Sequence, residues 1–212
     1  ADISCSDGAP IYVRKAGSVI LTLAEGTANT IADGIAYIYA GAETEPDAAI
    51  FSKADMVING TGSLTVQANY NDGITSKDTL RIDGGKINIT AKNHGIKGKD
   101  YLMLNGGGIE VRAGGDGVKA TNDTQAALGY VEINGGEIAI TAADDGISAV
   151  SLVKITGGTV HIDTQNNGIK SELAIELQGG DINIRTEDDD LVCQERSLLA
   201  AASLTVNGEV LQ

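Results

Sequence analysis

Short runs along most of this chain alternate apolar and polar residues. "KINI", "GIEV", "EIAI", "TVHI" and "DINI" each place Ile or Val at every second position. A second set, "TLRI", "YLML", "YVEI", "LVKI" and "LAIEL", follows the same rule. Period two is the pattern of a strand with one buried face. A third, shorter apolar point recurs at Ile74, Ile96, Val118, Ile147, Ile169 and Leu191. No segment sustains a 3.6-residue period with helix caps, so no helix is predicted.

The runs come round in a fixed order. Each member of the first set follows a glycine pair, and a third glycine marks the register at Gly73, Gly95, Gly117, Gly146 and Gly168. The steps between them are 22, 22, 29 and 22 residues, and a further 22 lead to Asp190. The long step contains "TNDTQAALGY", which reads as a seven-residue insertion between two strands. Three short strands and three turns per repeat fit one coil of a parallel β-helix. Stacked at about 4.8 Å, some seven to nine coils would form a rod roughly 35–45 Å long. The expected fold is therefore an all-β, single-domain solenoid over residues 1–212. Residues 1–54 read as an irregular N-terminal cap and coils, 55–207 as regular repeats and 208–212 as a tail. "YIYAGAETEPDAAI", from Tyr37 to Ile50, reads as a surface loop.

Composition changes this picture in three ways. Aromatics make up only 3% of the chain, with no Trp and with Phe51 as the sole Phe, so Ile, Leu, Val and Ala must fill the core by stacking on their own kind. With 28 glycines against 2 prolines, many positions need positive φ or close backbone approach. The net charge of −14 disfavours a nucleic-acid partner and favours cations. Cys5 and Cys193 lie near opposite ends of the chain and are expected as unpaired, buried thiols. No apolar run approaches the ~20 residues of a membrane helix. The opening "ADISCSDGAP" is compatible with an export segment removed upstream.

The repeat also stacks chemistry into columns. Asp83, Asn105, Asn134, Thr156 and Gln178 precede the glycine pairs and read as a ladder of turn side chains. Asp72, His94, Asp116, Asp145, Asn167 and Asp189 precede the third glycine. The residues before those are Asn71, Asn93, Gly115, Asp144, Asn166 and Asp188, and Asp190 extends the acidic end. Two readings stand side by side. One is a solvated edge of ordinary Asp-Gly and Asn-Gly turns. The other is a Ca²⁺ site, since calcium takes six to eight oxygen ligands in irregular geometry. Its candidate ligands are Asn71, Asp72, Asp116, Asp144, Asp145, Asn166, Asn167, Asp188, Asp189 and Asp190. Zinc fits poorly, because His94 and His161 fall in different columns.

Two positions past the third glycine run Thr75, Lys97, Lys119, Ser148 and Lys170. This column reads either as charge balance between coils or as a basic ladder beside the acidic one. In the second reading, lysines and bridging calcium bind an acidic polysaccharide, with His94, Tyr70 and Tyr101 as further sugar contacts.

The pattern GGxIxIxAxxDGIxxxxxLxI, as in Gly135 to Ile155, resembles a family of secreted bacterial carbohydrate-binding proteins. The resemblance implies a right-handed parallel β-helix like that of pectate lyases. It also implies binding of calcium and of plant cell-wall polymers such as polygalacturonate and cellulose, without catalysis. It covers about Asp55 to Asn207, and His94 and Asn167 stand where the motif has aspartate. The expected protein is a secreted or cell-surface polysaccharide binder. A lyase acting by β-elimination, with a pair such as Lys119 and Asp116, and a structural or adhesin spacer are the alternatives.

Overall fold

The computed structural model describes residues 1–198 and 202–211. These residues form strands and turns, with no helix among them. Three sheets run the length of the molecule, and in each the neighbouring strands are three apart along the chain, except for the hairpin Ala202–Val206 with Glu209–Val210 that ends the first sheet. Lys86–Ala91, Ile96–Gly98 and Tyr101–Leu104 make one winding, contributing one strand to each sheet, and the next begins at Gly108–Ala113. Among the described residues, all but one of the strand pairings are parallel. The chain is thus a β-helix-like solenoid of parallel sheets.

Register follows the repeat letter for letter. Ile87 sits beside Leu64 and Ile109, and the row continues through Ile138, Val160, Ile182 and Leu204. The second sheet stacks Ile50, Ile74, Ile96, Val118, Ile147, Ile169 and Leu191. The third stacks Leu80, Leu102, Val131, Val153 and Ile175. These inward side chains are almost all sealed from water. Each buried Ile or Leu contributes about 1.5–3 kcal/mol over its exposed state. Branched side chains of one shape nest when repeated at strand spacing, so aromatic bulk is not needed.

The glycine pairs form the corner between the third and first sheets. The second glycine of each pair has positive φ, as in Gly136 at 99°. Beside it the predicted ladder is present from Asp83 to Thr156, whereas Gln178 Nε2 donates to Glu176 Oε2 at 2.8 Å instead of continuing it. Asn105 Nδ2 donates to Asp83 Oδ1 at 2.7 Å, Asn134 Nδ2 to Asn105 Oδ1 at 3.0 Å, and Thr156 Oγ1 to Asn134 Oδ1 at 2.7 Å.

Near the N-terminus, Asp2–Cys5, Ile11–Val13 and Ser18–Leu23 already enter the three sheets. The segment expected as a loop from Tyr37 to Ile50 ends inside a strand: Ala48–Ser52 is wholly buried and pairs with Asp72–Ser76. Its apolar letters lack alternation because both of its faces are covered. At the other end Ala202–Val206 turns through Asn207 and Gly208, both at positive φ, into the antiparallel Glu209–Val210. Cys5 and Cys193 are free, but they are half-buried rather than sealed in the core.

Candidate functional site

The second corner, between the first and second sheets, carries the acidic column. Its backbone is pinned by a ladder from coil to coil. Gly73 N donates to His94 O at 2.9 Å, Gly95 N to Asp116 O at 3.0 Å and Gly117 N to Asp145 O at 3.0 Å. Gly146 N and Gly168 N continue it to Asn167 O and Asp189 O. The third glycine is not there to turn the chain. Gly117 has no positive φ, but a Cβ on it would lie 2.7 Å from Gly146 O and would strike the Ile140 side chain. Asp190 holds the same position beside Leu191–Val192, the last strand of its sheet among the described residues, with no further described strand stacked over it. The demand for glycine ends where the covering coil ends.

From Asp72 to Asn167 the column is not a solvated edge, although Asp189 at its end is exposed. Asp72, Asp116 and Asp145 are 0%, 1% and 3% exposed, and Asn167 is buried as well. Burying a carboxylate is costly unless both oxygens are partnered, and here the two oxygens divide the work. One accepts from the next coil's backbone: Asp72 Oδ1 from His94 N at 3.1 Å, Asp116 Oδ1 from Asp145 N at 3.1 Å, and Asp145 Oδ1 from Asn167 N at 3.3 Å. The other faces a lysine. Lys97 pairs with Asp72, Lys119 Nζ lies 2.5 Å from Asp116 Oδ2, and Lys170 Nζ lies 3.3 Å from Asp145 Oδ2.

His94 meets only the first of these tasks. Its Nδ1 accepts from Asp116 N at 3.1 Å. Burial lowers its pKa, opposed by the charges of Asp72 and Asp116. A neutral ring accepting at Nδ1 fits that shift. The 3.4 Å approach of Nδ1 to Asp116 Oδ2 is therefore not an ion pair at neutral pH. A histidine can stand in the aspartate column because the ladder asks for an acceptor and not for a charge.

The lysine column aligns as Thr75, Lys97, Lys119, Ser148 and Lys170. Ser148 leaves a gap between two lysines, and a groove of about 310 Å³ opens there. Asp116, Asp144 and Asp145 line it together with Lys119, Lys170 and Asp123. One carboxylate oxygen from each of Asp116, Asp144 and Asp145 lies within 4.8 Å of the others. This cluster could hold a metal ion. Asp144 is exposed, accepts from Asn166 Nδ2 at 2.7 Å, and pairs with no cation among the described residues. All three donors are hard oxygens, which suits a calcium-type cation and not zinc.

The insertion builds one wall of the groove. Asn122, 1% exposed, donates to Asp100 Oδ1 at 2.7 Å and accepts from Thr124 N and Gln125 N, each at 3.0 Å. That amide anchors the turn carrying Asp123.

The remaining predicted residues lie outside this groove. Asn71 donates its amide to Asp47 O at 3.0 Å. Asn166 and Asn167 both donate to Asp145 Oδ1, at 3.0 and 2.7 Å. Asp188 and Asp189 are exposed, Asp190 is half-buried, and none of them joins the three-carboxylate cluster. Tyr70 stacks on Tyr37 at 4.2 Å, and Tyr101 stacks on Tyr130 at 5.0 Å on the third sheet. Lys97, His94 and both tyrosines are absent from the groove's lining. Sequence reasoning missed Asp123 and the importance of Ser148. Both had a signal, since the gap in the lysine column coincides with the 29-residue step.

A family of carbohydrate-binding domain-containing proteins matches residues 1–209. A relative from Acetivibrio thermocellus, also described as a carbohydrate-binding domain-containing protein, is 38% identical over 91 residues. That match covers 42% of this chain and 32% of the relative, so the chain matches about a third of that protein's length. A solved structure, described as the polysaccharide lyase-like protein from C. thermocellum in a gadolinium derivative, superposes with a TM-score of 0.73 at 34% identity. The superposition covers 93% of this chain and 75% of the other. By the match along nearly its full length and by a fold shared with a solved relative, the chain belongs to the carbohydrate-binding domain family, with a β-helix-like architecture.

Proposed function

We propose that the protein binds acidic polysaccharides, such as polygalacturonate, through calcium held by Asp116, Asp144 and Asp145. The observation that carries this is the coincidence at Ser148. Three carboxylates converge where the lysine column is broken, and Lys119 and Lys170 flank the opening. Calcium bound there would offer its remaining coordination positions to a uronate carboxylate. The two ammonium groups stand within reach of the same sugar chain. The structural relative was prepared as a gadolinium derivative, and lanthanide ions prefer the same hard oxygen donors as calcium. Asp72 lies outside this reading, because it neither joins the three-carboxylate cluster nor lines the groove.

The reading takes the stack as a right-handed β-helix of about seven to nine coils, at the strand spacing of about 4.8 Å. It places the protein outside a bacterial cell or on its surface, where weak calcium sites of the extracellular type fill. It favours binding over β-elimination. A lyase needs a base free to take a proton, whereas Lys119 and Lys170 are each held against an aspartate.

The test is affinity electrophoresis in polygalacturonate with and without calcium. Retardation that EDTA abolishes, and that Ser148→Lys abolishes by filling the gap with a fixed cation, supports the proposal. Retardation indifferent to EDTA overturns the calcium role. An unsaturated product absorbing in the ultraviolet would replace binding with a lyase activity.

A further inference from the structure

The insertion has two sides. One faces the acidic groove through Asp123; on the other, Ala126 and Ala127 line a second groove of about 470 Å³ on the third sheet. That volume is in the usual range for small-ligand sites. The two grooves adjoin at consecutive residues. Val150 and Glu172 line the first, and Ser151 and Leu173 line the second.

The floor of the second groove is a descending step. One outward column of the third sheet runs Tyr101, Tyr130, Leu152, Ala174 and Glu195. The tyrosines stack at 5.0 Å with their planes 16° apart, and the next side chains shrink to Leu and then Ala. Leu173, 46% exposed, stands beside the low point. The polar lining is Glu176, Glu195, Gln194 and Ser151, with no lysine or arginine among the lining residues. Such a surface combines apolar area with planar oxygen acceptors. Pyranose rings have the complement, C–H faces with paired hydroxyl donors. The two carboxylates, without a lining cation, repel uronates.

We propose that this groove is a second carbohydrate subsite, which takes a neutral pyranose segment of the glycan whose acidic segment occupies the calcium groove. The proposal rests on the carbohydrate-binding reading above and adds a site of opposite preference. A chain passing round the sheet corner at Val150–Ser151 would meet a cation-bridging subsite on one side and an anion-excluding one on the other. The protein would then select mixed glycans over homopolymers of uronate.

The experiment titrates the intact protein with neutral hexaoses (mannohexaose, xylohexaose, cellohexaose) and separately with trigalacturonate plus calcium. Wild type is compared with Ala174→Tyr and Leu173→Asp. Ala174→Tyr continues the existing tyrosine column and fills the step, and Leu173→Asp changes an exposed wall. At least one hexaose is expected to bind wild type and to weaken about tenfold or more in both variants, the scale of a lost pocket contact. Trigalacturonate binding should stay unchanged in both. If none of the hexaoses binds, or if both variants bind them as wild type does, the subsite is overturned. If the hexaoses behave as expected but trigalacturonate fails to bind, the subsite stands and the calcium reading falls.

Discussion

Two corners of this solenoid carry stacked polar columns, and they are built on opposite principles. The glycine-pair corner uses neutral or solvated side chains: Asp83, Asn105, Asn134 and Thr156 are exposed and pass one hydrogen bond along the stack. The acidic corner buries Asp72, Asp116 and Asp145 and gives each a lysine. Water covers for a broken bond at the first corner and cannot do so at the second. An exposed ladder therefore tolerates change and only shapes a turn. A buried charged column is sensitive, and where the lysine column is broken at Ser148, the exposed Asp144 beside it has no cation among the described residues and leaves a place for one from outside.

Packing should distinguish the corners most strongly. Gly117→Ala places a methyl against the Gly146 carbonyl and Ile140, and should cost about 3 kcal/mol or more by overpacking. Asp190, in the equivalent place at the end of the sheet, should accept glycine or alanine with little change. Urea unfolding of both variants checks the contrast.

Next comes the charge. Asp116→Ala removes the acceptor of Asp145 N and the partner of Lys119, with an expected loss of about 3 kcal/mol. Asn134→Ala breaks two exposed ladder bonds and should cost about 1 kcal/mol or less. Equal losses in denaturant unfolding would erase the distinction between the corners.

Calcium should act on one corner only. At a hundredfold excess over its dissociation constant it adds about 2.7 kcal/mol, or roughly 5–10 °C in melting temperature for a chain of this size. Asp144→Asn keeps an exposed side chain of the same shape and should abolish that rise. Asp83→Asn at the other corner should leave it intact.

The smallest effect lies at a third place, the turn into the third sheet. Burial, together with Asp100 and Asp55, raises the pKa of Asp78. A raised carboxyl binds its proton more readily in the folded chain than in the unfolded one. Its cost is fully present above the folded pKa and disappears as pH falls below the unfolded value of about 3.9. Asp78→Asn should therefore melt slightly higher than wild type at pH 7, and the difference should vanish near pH 3.

Much of this was legible because the repeat is an address system. Once Gly95, Gly117, Gly146 and Gly168 set the register, Ile96 had to lie beside Val118 and Lys97 beside Lys119. The columns of the candidate site followed, including His94 among the aspartates. Depth did not follow. Asp145 and Asp144 are adjacent identical letters, yet one is 3% exposed and the other open to solvent. Tyr101 reads as a neighbour of Lys97, but the chain turns between them and delivers it to another sheet. A column assignment fixes position along the rod, not direction around it.

The sequence by itself determined the unit: strand, turn, strand, turn, strand, turn, closing about every 22 residues. Period-two patterning and glycine placement are local properties, and repetition makes the local answer global. Only the tertiary structure decided which polar letters are sealed and which face a groove. Burial depends on what the next coil lays over a side chain. Ser148 matters because Lys119 and Lys170 stand on either side of it, neighbours that lie one coil away and 29 and 22 residues distant in sequence.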